Sequence, residues 1–305
     1  MKIWVTGAAG SLGSALVSSL AFQFPGAEIL APNRSNLDLS APKEVLEFVE
    51  KKRPTHVFHL AAKVYGIGGH ESDPTGSLLT NTLIDYSVFN ALLRFPPIWI
   101  YYSSTVAAYG YPYVRLPLIE SDLLSGDPHL SEYGYAMAKR HALSYLNALE
   151  RHHGVKFVYG LTTNLYGSGD RFLEGKGHVV ISLMERAKES LRNNSRLDVW
   201  GTGNATRDFL SVDDAANILI ELIDAHTGTL NIASGVEISI RSLAALMVES
   251  FDLRKGFEFT GEQEGITRRY CDISKLKVYS KVAQRVDPFN SLKSNISLAA
   301  NAFLS

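Results

Sequence analysis

Tyr135 and Lys139 are the strongest candidates for chemistry in this sequence, and they lie four residues apart. In a helix this spacing places both side chains on one face. A phenol with a pKa of about 10 is a poor acid–base catalyst at neutral pH until a nearby ammonium stabilises the phenolate. The pair therefore predicts a tyrosine that transfers a proton and a lysine that lowers its pKa.

A glycine-rich segment from Gly7 to Gly13 follows the apolar run Lys2 to Thr6 and precedes a helical pattern. Glycines at this junction allow a tight turn and let the backbone approach a pyrophosphate at the helix N-terminus. The spacing alone is weak evidence, but its position between a strand and a helix is the context that a dinucleotide site requires. The segment predicts a bound nicotinamide dinucleotide.

The segment after the second apolar run bears on which dinucleotide binds. Pro32-Asn33-Arg34 offers no carboxylate for a ribose 2′-hydroxyl, whereas Arg34 can bind a 2′-phosphate. This favours NADP(H) over NAD(H), the alternative being that Arg34 is simply a solvated surface residue. Asp38 is placed to accept hydrogen bonds from the adenine or to cap a turn.

Short apolar runs alternate with amphipathic patterns through the first half of the chain. The predicted strands are Lys2 to Thr6, Ala27 to Leu30, His56 to Ala61, Ile98 to Tyr102 and Phe157 to Leu161. The predicted helices between them are Ser11 to Ala21, Lys43 to Lys52, Ser77 to Leu93 and Glu132 to His152. Strands without polar alternation, separated by such helices, indicate an α/β fold with a doubly wound parallel Rossmann sheet.

After Leu161 this alternation loosens, which indicates a second, smaller α/β lobe. Its predicted elements are the helices Val179 to Arg192, Asp213 to Ala225, Ser242 to Phe251 and Ser291 to Phe303, and the strands Leu197 to Trp200 and Thr229 to Ile232. We expect residues 1–163 to bind the dinucleotide, with 207–234 returning to that domain, and residues 164–206 and 235–305 to form the substrate lobe.

The composition excludes several classes of function. The net charge of −1 gives no support for nucleic-acid binding. No segment reaches the roughly 18 apolar residues that a membrane span needs. The single cysteine, Cys271, can form neither an internal disulfide nor a soft metal site with a second thiol, so we expect a reducing cytoplasm and no metal.

Several further motifs are similar to those of the extended short-chain dehydrogenase/reductase family, or NAD-dependent epimerase/dehydratase family, and within it to the GDP-L-fucose synthase branch. Besides the glycine segment and the Tyr135/Lys139 pair, they are Leu60-Ala61-Ala62, the hydroxyl cluster Ser103 to Thr105, Asn164 to Gly167, Gly177 to Val180, Trp200 to Gly203 and Arg207 to Asp214. The resemblance covers residue 1 to about residue 280.

This resemblance implies roles for individual residues. Tyr135 would protonate the substrate oxygen, Lys139 would also bind the nicotinamide ribose, and a hydroxyl beside the tyrosine would hydrogen-bond that oxygen. Counting four residues back from Tyr109 selects Thr105 for the hydroxyl, whereas matching the serine pair selects Ser103, with Ser104 as a fallback. His178 matches the histidine of the smaller lobe.

The resemblance also implies two sets of binding residues. The cofactor would contact Gly7, Ala9, Gly10, Ser11, Leu12, Gly13, Arg34, Asp38, Leu39, Leu60, Ala61, Ala62, Tyr135, Lys139, Thr162, Asn164 and Leu165. A nucleotide sugar, GDP-linked in this branch, would contact Ser104, Asn164, His178, Val179, Arg186, Trp200, Arg207 and Arg269. Family members are commonly homodimers, which implies one here.

The sequence departs from the epimerising members at the cysteine that lies two residues beyond the hydroxyl. Ala107 occupies that position, or Thr105 in the other register, and neither can exchange a carbon-bound proton. We therefore expect NADPH-dependent reduction at C4 of a GDP-linked 4-keto-6-deoxy sugar. The alternatives are a complete GDP-L-fucose synthase in which Tyr109 or another group supplies the acid, a C4 epimerase with bound NAD, and a non-enzymatic NADP(H) sensor.

Overall fold

The computed structural model describes residues 1–64, 73–167, 179–261 and 265–304. Buried apolar runs form the strands β1 (Lys2–Thr6), β2 (Glu28–Leu30), β3 (His56–His59), β4 (Trp99–Thr105) and β5 (Lys156–Thr162). They are joined by the helices α1 (Ser11–Gln23), α2 (Pro42–Lys52), α3 (Pro74–Arg94) and α4 (Tyr133–His153). The predicted elements are all present, although the strand predicted to reach Ala61 ends at His59.

The second half of the described chain adds shorter elements. Its strands are β6 (Asn164–Tyr166), β7 (Leu197–Trp200), β8 (Thr206–Arg207), β9 (Phe209–Ser211), β10 (Gly228–Ile232), β11 (Ile238–Ser239), β12 (Phe257–Thr260) and β13 (Arg268–Arg269). Its helices are α5 (Val179–Arg192), α6 (Val212–Glu221), α7 (Ile240–Ser250), α8 (Ser274–Tyr279) and α9 (Pro288–Leu304). Helix α6 ends before the predicted Ala225, because the chain turns at Leu222.

The central sheet is parallel and six-stranded within the described residues, in the order β10-β5-β4-β3-β1-β2. The chain leaves β1 for β2 on one side and returns to β3 on the other, so the strand order reverses between β1 and β3. A doubly wound fold is therefore confirmed. At such a switch point a crevice opens at the carboxyl ends of the strands, where ligands bind.

Two apolar clusters build the interior. The larger one covers the central sheet with residues such as Trp4, Phe58 and Trp99, all fully buried. The smaller one joins α5, α7 and α9 around residues such as Phe209 and Leu292. Cys271, Ile273, Leu276 and Ala283 pack in the larger cluster. Residues 271–283 thus pack in the larger cluster, whereas α9 packs in the smaller one.

Asp208 ties these parts together from a fully buried position between the two clusters. Its carboxylate accepts hydrogen bonds from the backbone N–H and hydroxyl of Ser234 and from the N–H of Gly235, at 2.7 to 3.0 Å, and from the N–H of Cys271 at 3.3 Å. Burial raises the pKa of Asp208 to about 6, while these hydrogen bonds oppose the shift. Within the motif Arg207-Asp208-Phe209, Asp208 therefore has a structural role, whereas Arg207 faces the cavity.

Candidate active site

A cavity of about 1540 Å³ opens at the carboxyl ends of β1, β3, β4 and β5. Most of the residues that the sequence nominated lie in its wall. They are Gly7, Ala9, Gly10, Ser11, Leu12, Gly13, Arg34, Asp38, Leu39, Leu60, Ala61, Ala62, Ser104, Thr105, Tyr135, Lys139, Thr162, Asn164, Leu165, Arg207 and Arg269. Val179, Arg186 and Trp200 are not in this wall, and His178 lies outside the described residues.

The glycine segment forms the turn that a dinucleotide requires. Gly7 has φ +70°, and a Cβ there would lie 2.9 Å from the backbone nitrogen of Ala61. A Cβ on Gly13 would lie 2.2 Å from the carbonyl oxygen of Gly7. Helix α1 begins at Ser11 with Gly10 as its N-cap, so no side chain caps its first-turn N–H groups. The segment therefore fits a pyrophosphate against the helix N-terminus.

The segment that follows β2 contributes Arg34 and Asp38 to the cavity wall. Arg34 is exposed, and its charge acts on Asp38. The Asp38 carboxylate accepts hydrogen bonds from the backbone N–H and the hydroxyl of Ser40, at 2.9 and 2.7 Å, and these bonds lower the pKa of Asp38. Asp38 thus caps a turn while it lines the cavity, so both roles considered from sequence are compatible.

Tyr135 and Lys139 lie on one face of α4, as their spacing predicted, and both line the cavity. Lys139 is only 1% exposed, and its Nζ donates a hydrogen bond to the carbonyl of Ser103 at 2.7 Å. The same ammonium lies 4.5 Å from the centre of the Tyr102 ring and 5.8 Å from that of Tyr135. The backbone of β4 therefore fixes the position of the lysine.

The pKa of Tyr135 is raised in this structure, the direction opposite to the one expected from Lys139 alone. Burial raises the pKa of Tyr135, and the carboxylates of Asp85 and Glu132 raise it further. Burial in turn lowers the pKa of Lys139, with Asp85 opposing. Because the ammonium is directed at Ser103 and two carboxylates lie nearby, the phenol is held in its protonated form.

The hydroxyl side chains at the end of β4 point alternately to the two faces of the sheet. Ser103 and Thr105 are partly exposed, whereas Ser104 is 3% exposed. Thr105 Oγ1 accepts a hydrogen bond from the backbone N–H of Ala107 at 3.1 Å, which caps the 3₁₀ turn Val106–Ala108. Ala107 itself is 5% exposed and is absent from the cavity wall.

Tyr109, the alternative proton donor named from sequence, and the single cysteine, Cys271, do not line the cavity. Tyr109 is 2% exposed, and its hydroxyl donates to Asn231 Oδ1 at 2.7 Å. Burial raises the pKa of Tyr109. Cys271 is 1% exposed, and burial raises the pKa of its thiol as well. Both side chains are instead part of the buried core.

The opposite end of the cavity from Arg34 carries a buried ion pair that sequence reasoning missed. The guanidinium of Arg269 pairs with both carboxylate oxygens of Glu132, and its Nε donates to the Tyr113 hydroxyl at 2.8 Å. Burial alone would lower the pKa of Arg269, but Glu132 and Tyr113 raise it. Arg269, nominated for substrate binding, is thus engaged by its own chain. Nothing local marks Glu132, because its partner is 137 residues away.

Arg207 lies beside this pair and faces the cavity. Burial and the positive charge of Arg269 lower the pKa of Arg207 to about 10, which leaves it protonated at neutral pH. Its Nη1 donates to the backbone carbonyl of Thr206 at 2.8 Å. A half-buried guanidinium in this position suits an anionic ligand such as a diphosphate.

Arg186 and Trp200 form a separate stack outside the cavity wall. The guanidinium carbon of Arg186 lies 3.7 Å from the centre of the Trp200 ring, and Trp200 is 66% exposed. Arg186 also lies near Asp198, whose carboxylate is 4.0 Å from Nη1. The Arg186 cation therefore stacks on an exposed indole at a position beyond the walls of the cavity.

The fold and the site define a Rossmann-type dinucleotide-binding protein with a tyrosine–lysine pair at the carboxyl edge of its sheet. The NAD dependent epimerase/dehydratase family matches residues 3–233, and the chain belongs to that family. In the described residues no helix is long and apolar enough to cross a membrane, and no group of three or more acidic, histidine or cysteine side chains could hold a metal ion.

Among curated relatives, a GDP-L-fucose synthase of Sinorhizobium fredii is 30% identical, and the alignment covers 100% of this chain and 96% of the relative. GDP-L-fucose synthase 1 of Arabidopsis thaliana is 32% identical over 90% of this chain and 86% of its own length. Among solved structures, a GDP-mannoheptose C4 reductase from Campylobacter jejuni with NADP bound has a TM-score of 0.86 at 21% identity, covering 100% of this chain and 98% of its own. At that identity the likeness supports the fold alone.

Proposed function

We propose that this protein reduces the C4 keto group of a GDP-linked 4-keto-6-deoxy sugar with NADPH. The observation that carries the proposal is that Tyr135, Lys139 and Thr105 share one wall of the cavity, while the position of the epimerase cysteine holds the buried Ala107. The relatives named GDP-L-fucose synthase support the sugar class. The fit of the glycine segment to a pyrophosphate supports the dinucleotide.

NADPH, when bound, supplies the hydride that reduces C4. Tyr135 donates its proton to the alkoxide that develops on the C4 oxygen, and the raised pKa of its phenol keeps that proton in place at neutral pH. Thr105 hydrogen-bonds the same oxygen as its charge develops. Lys139, fixed on the Ser103 carbonyl, holds the nicotinamide ribose and places a positive charge beneath the tyrosine.

The remaining walls would orient the sugar nucleotide. Arg207 would bind the diphosphate with its half-buried guanidinium. The ion pair of Glu132 and Arg269 presents fixed charge beside Tyr135, where sugar hydroxyls can hydrogen-bond to it. His178, Arg186 and Trp200 stay part of the proposed nucleotide-sugar site, as the sequence expected.

The test is incubation of the purified protein with GDP-4-keto-6-deoxymannose while NADPH absorbance is followed. We expect NADPH oxidation and a product reduced at C4. Failure to oxidise NADPH with this sugar or any related 4-keto sugar nucleotide would exclude the proposal. The same incubation in D₂O without NADPH distinguishes the complete fucose synthase, because we expect no deuterium at C3 or C5.

Arg34 provides the prediction on cofactor choice. Replacement by alanine removes the charge that would bind the 2′-phosphate, so we expect KM for NADPH to rise roughly 10-fold or more while KM for NADH stays unchanged. Arg94→Ala, an exposed arginine at the end of α3, is the matched control. Equal changes with both cofactors in the Arg34 variant would show that Arg34 does not select NADPH.

The proposal also includes the organisation of the molecule. Residues 1–163 and 207–234 would bind the dinucleotide together with the tail from Cys271 to Ala283, and the rest would bind the sugar nucleotide. A homodimer stays part of the proposal, as the family resemblance implies. A cytoplasmic location is supported by the single, unpaired Cys271.

A further inference from the structure

A chain of buried polar side chains lies behind the wall that carries Tyr135 and Lys139. It begins at Thr6, the last residue of β1, whose Oγ1 lies 2.7 Å from His59 Nδ1 at the end of β3. His59 Nε2 lies 3.1 Å from Asp85 Oδ1 on α3, in close contact but poorly aligned for a full hydrogen bond. The other carboxylate oxygen of Asp85 accepts a hydrogen bond from the Tyr102 hydroxyl at 2.7 Å. His59 and Asp85 are 0% and 1% exposed.

The hydrogen bonds of Thr6 determine where the protons in this network lie. Its Oγ1 accepts from the backbone N–H groups of Leu60 and Ala61, both at 3.1 Å. A hydroxyl has two acceptor positions and one proton, so that proton must be donated to His59 Nδ1. The other ring nitrogen, Nε2, then faces Asp85. His59 thus packs against the Asp85 carboxylate in the buried interior.

The charge that matches Asp85 belongs to Lys139. The Lys139 ammonium lies 4.5 Å above the ring of Tyr102, and the hydroxyl of that same ring donates to Asp85. A buried ammonium and a buried carboxylate are each costly alone, and they are tolerated when they compensate each other. Burial lowers the pKa of Lys139, and the Asp85 charge opposes this shift.

The Asp85 charge also acts on several phenols, and Glu132 and Arg140 act on two of them, Tyr135 and Tyr159. Tyr135 and Tyr145 on α4 and Tyr159 on β5 all have their pKa raised by burial and by the Asp85 charge, so they are uncharged at neutral pH. The Tyr159 hydroxyl donates to the backbone carbonyl of Lys139 at 2.8 Å. Within the part of the chain that the structure describes, Asp85 is the carboxylate that acts on Lys139.

We propose that Asp85 is a positioning residue that keeps Lys139 charged and in place, and that Thr6, His59 and Tyr102 hold the Asp85 carboxylate for this role. The network also joins the cofactor loop to the tyrosine–lysine pair, because Thr6 immediately precedes Gly7 and bonds the Leu60-Ala61 backbone. The effect on reduction rests on the proposed function, whereas the pairing of the two buried charges does not.

The first experiment compares wild type, Asp85→Asn and Glu150→Gln. Glu150→Gln removes a carboxylate from the exposed part of α4, where it pairs with His226, and is the matched control. NADPH affinity is measured by NADPH fluorescence across pH, without any sugar, and the rate of sugar reduction is measured over the same range. We expect the alkaline midpoint of both profiles to fall by about one unit or more in Asp85→Asn, since the remaining buried ammonium loses its proton more easily. Profiles that coincide with wild type would overturn the proposal.

The second experiment uses stability, and it stays informative where Asp85→Asn folds poorly or where no keto sugar is reduced. Thermal unfolding is measured for Asp85→Asn, Lys139→Met and the double variant. Each single change leaves one buried charge without its partner, so we expect the double variant to have a higher Tm than either single variant. Tm losses that simply add in the double variant would overturn the pairing. Loss of reduction with every sugar, by contrast, would overturn only the proposed function.

Discussion

Replacing Tyr135 by phenylalanine is expected to lower the rate of NADPH-dependent sugar reduction by about 10²- to 10⁴-fold, the range by which a positioned acid accelerates proton transfer. The substitution removes only the hydroxyl, so the ring still packs beside Lys139 and the cavity keeps its shape. We therefore expect KM for NADPH to change little. The measurement is kcat and KM with GDP-4-keto-6-deoxymannose, followed by NADPH absorbance.

Tyr133 supplies the matched control, because it lies two residues earlier at the start of α4 and is 38% exposed. Tyr133→Phe should retain the wild-type rate. The pH profile adds a second test, since a phenol with a raised pKa stays protonated through neutral pH. Wild type should therefore keep its activity from neutral into mildly alkaline pH. An active Tyr135→Phe enzyme would revive the non-enzymatic sensor hypothesis.

The parallel sheet could be predicted because local pattern determines it. Runs such as Lys2 to Thr6 are apolar without alternation, and only a strand covered on both faces buries them completely. The glycine segment could be predicted in the same way, since the glycines between β1 and α1 allow the close backbone approach of one turn. These features depend on residues close together in sequence.

Features that depend on distant residues could not be predicted in this way. In the sequence, Asp85 is one polar residue within a predicted helix. Its contacts with His59 and Tyr102 become visible only in the folded structure. The direction of the Tyr135 pKa shift was missed for the same reason, because the carboxylates that act on the phenol come from α3 and from the start of α4. The spacing of Tyr135 and Lys139 predicted their proximity but not the neighbouring charges.

Ala107 shows how the structure sharpens an inference from sequence. The family resemblance implies that Ala107, or Thr105 in the other register, stands where the epimerising members have a cysteine. The structure adds that position 107 is buried and outside the cavity wall, and that Tyr109 is bonded to Asn231 instead of facing the cavity. The structure therefore gives the position of these two side chains, which the sequence alone does not.

The ion pair of Glu132 and Arg269 is expected to be the most consequential charge contact for stability among the described residues. It joins the segment before α4 to β13 across the cavity, and the two side chains are only 14% and 8% exposed. Glu132→Gln leaves a buried guanidinium next to the like charge of Arg207. Breaking a buried pair in this way typically costs about 3 to 5 kcal/mol. We expect a loss of this size in the free energy of unfolding, measured by urea denaturation.

The adjacent arginine provides the control for this prediction. Arg268 pairs with Glu237 at 2.6 and 2.7 Å, but the Arg268 side chain is 53% exposed. Water can solvate Arg268 when its partner is removed, so Glu237→Gln should cost much less than Glu132→Gln. Equal losses in the two variants would show that burial does not distinguish these pairs. A large loss of stability in Glu132→Gln alone would show that the Glu132–Arg269 contact stabilises the cavity wall beside Tyr135. Because the two residues are 137 positions apart, this part of the cavity would then depend on packing between the two halves of the chain.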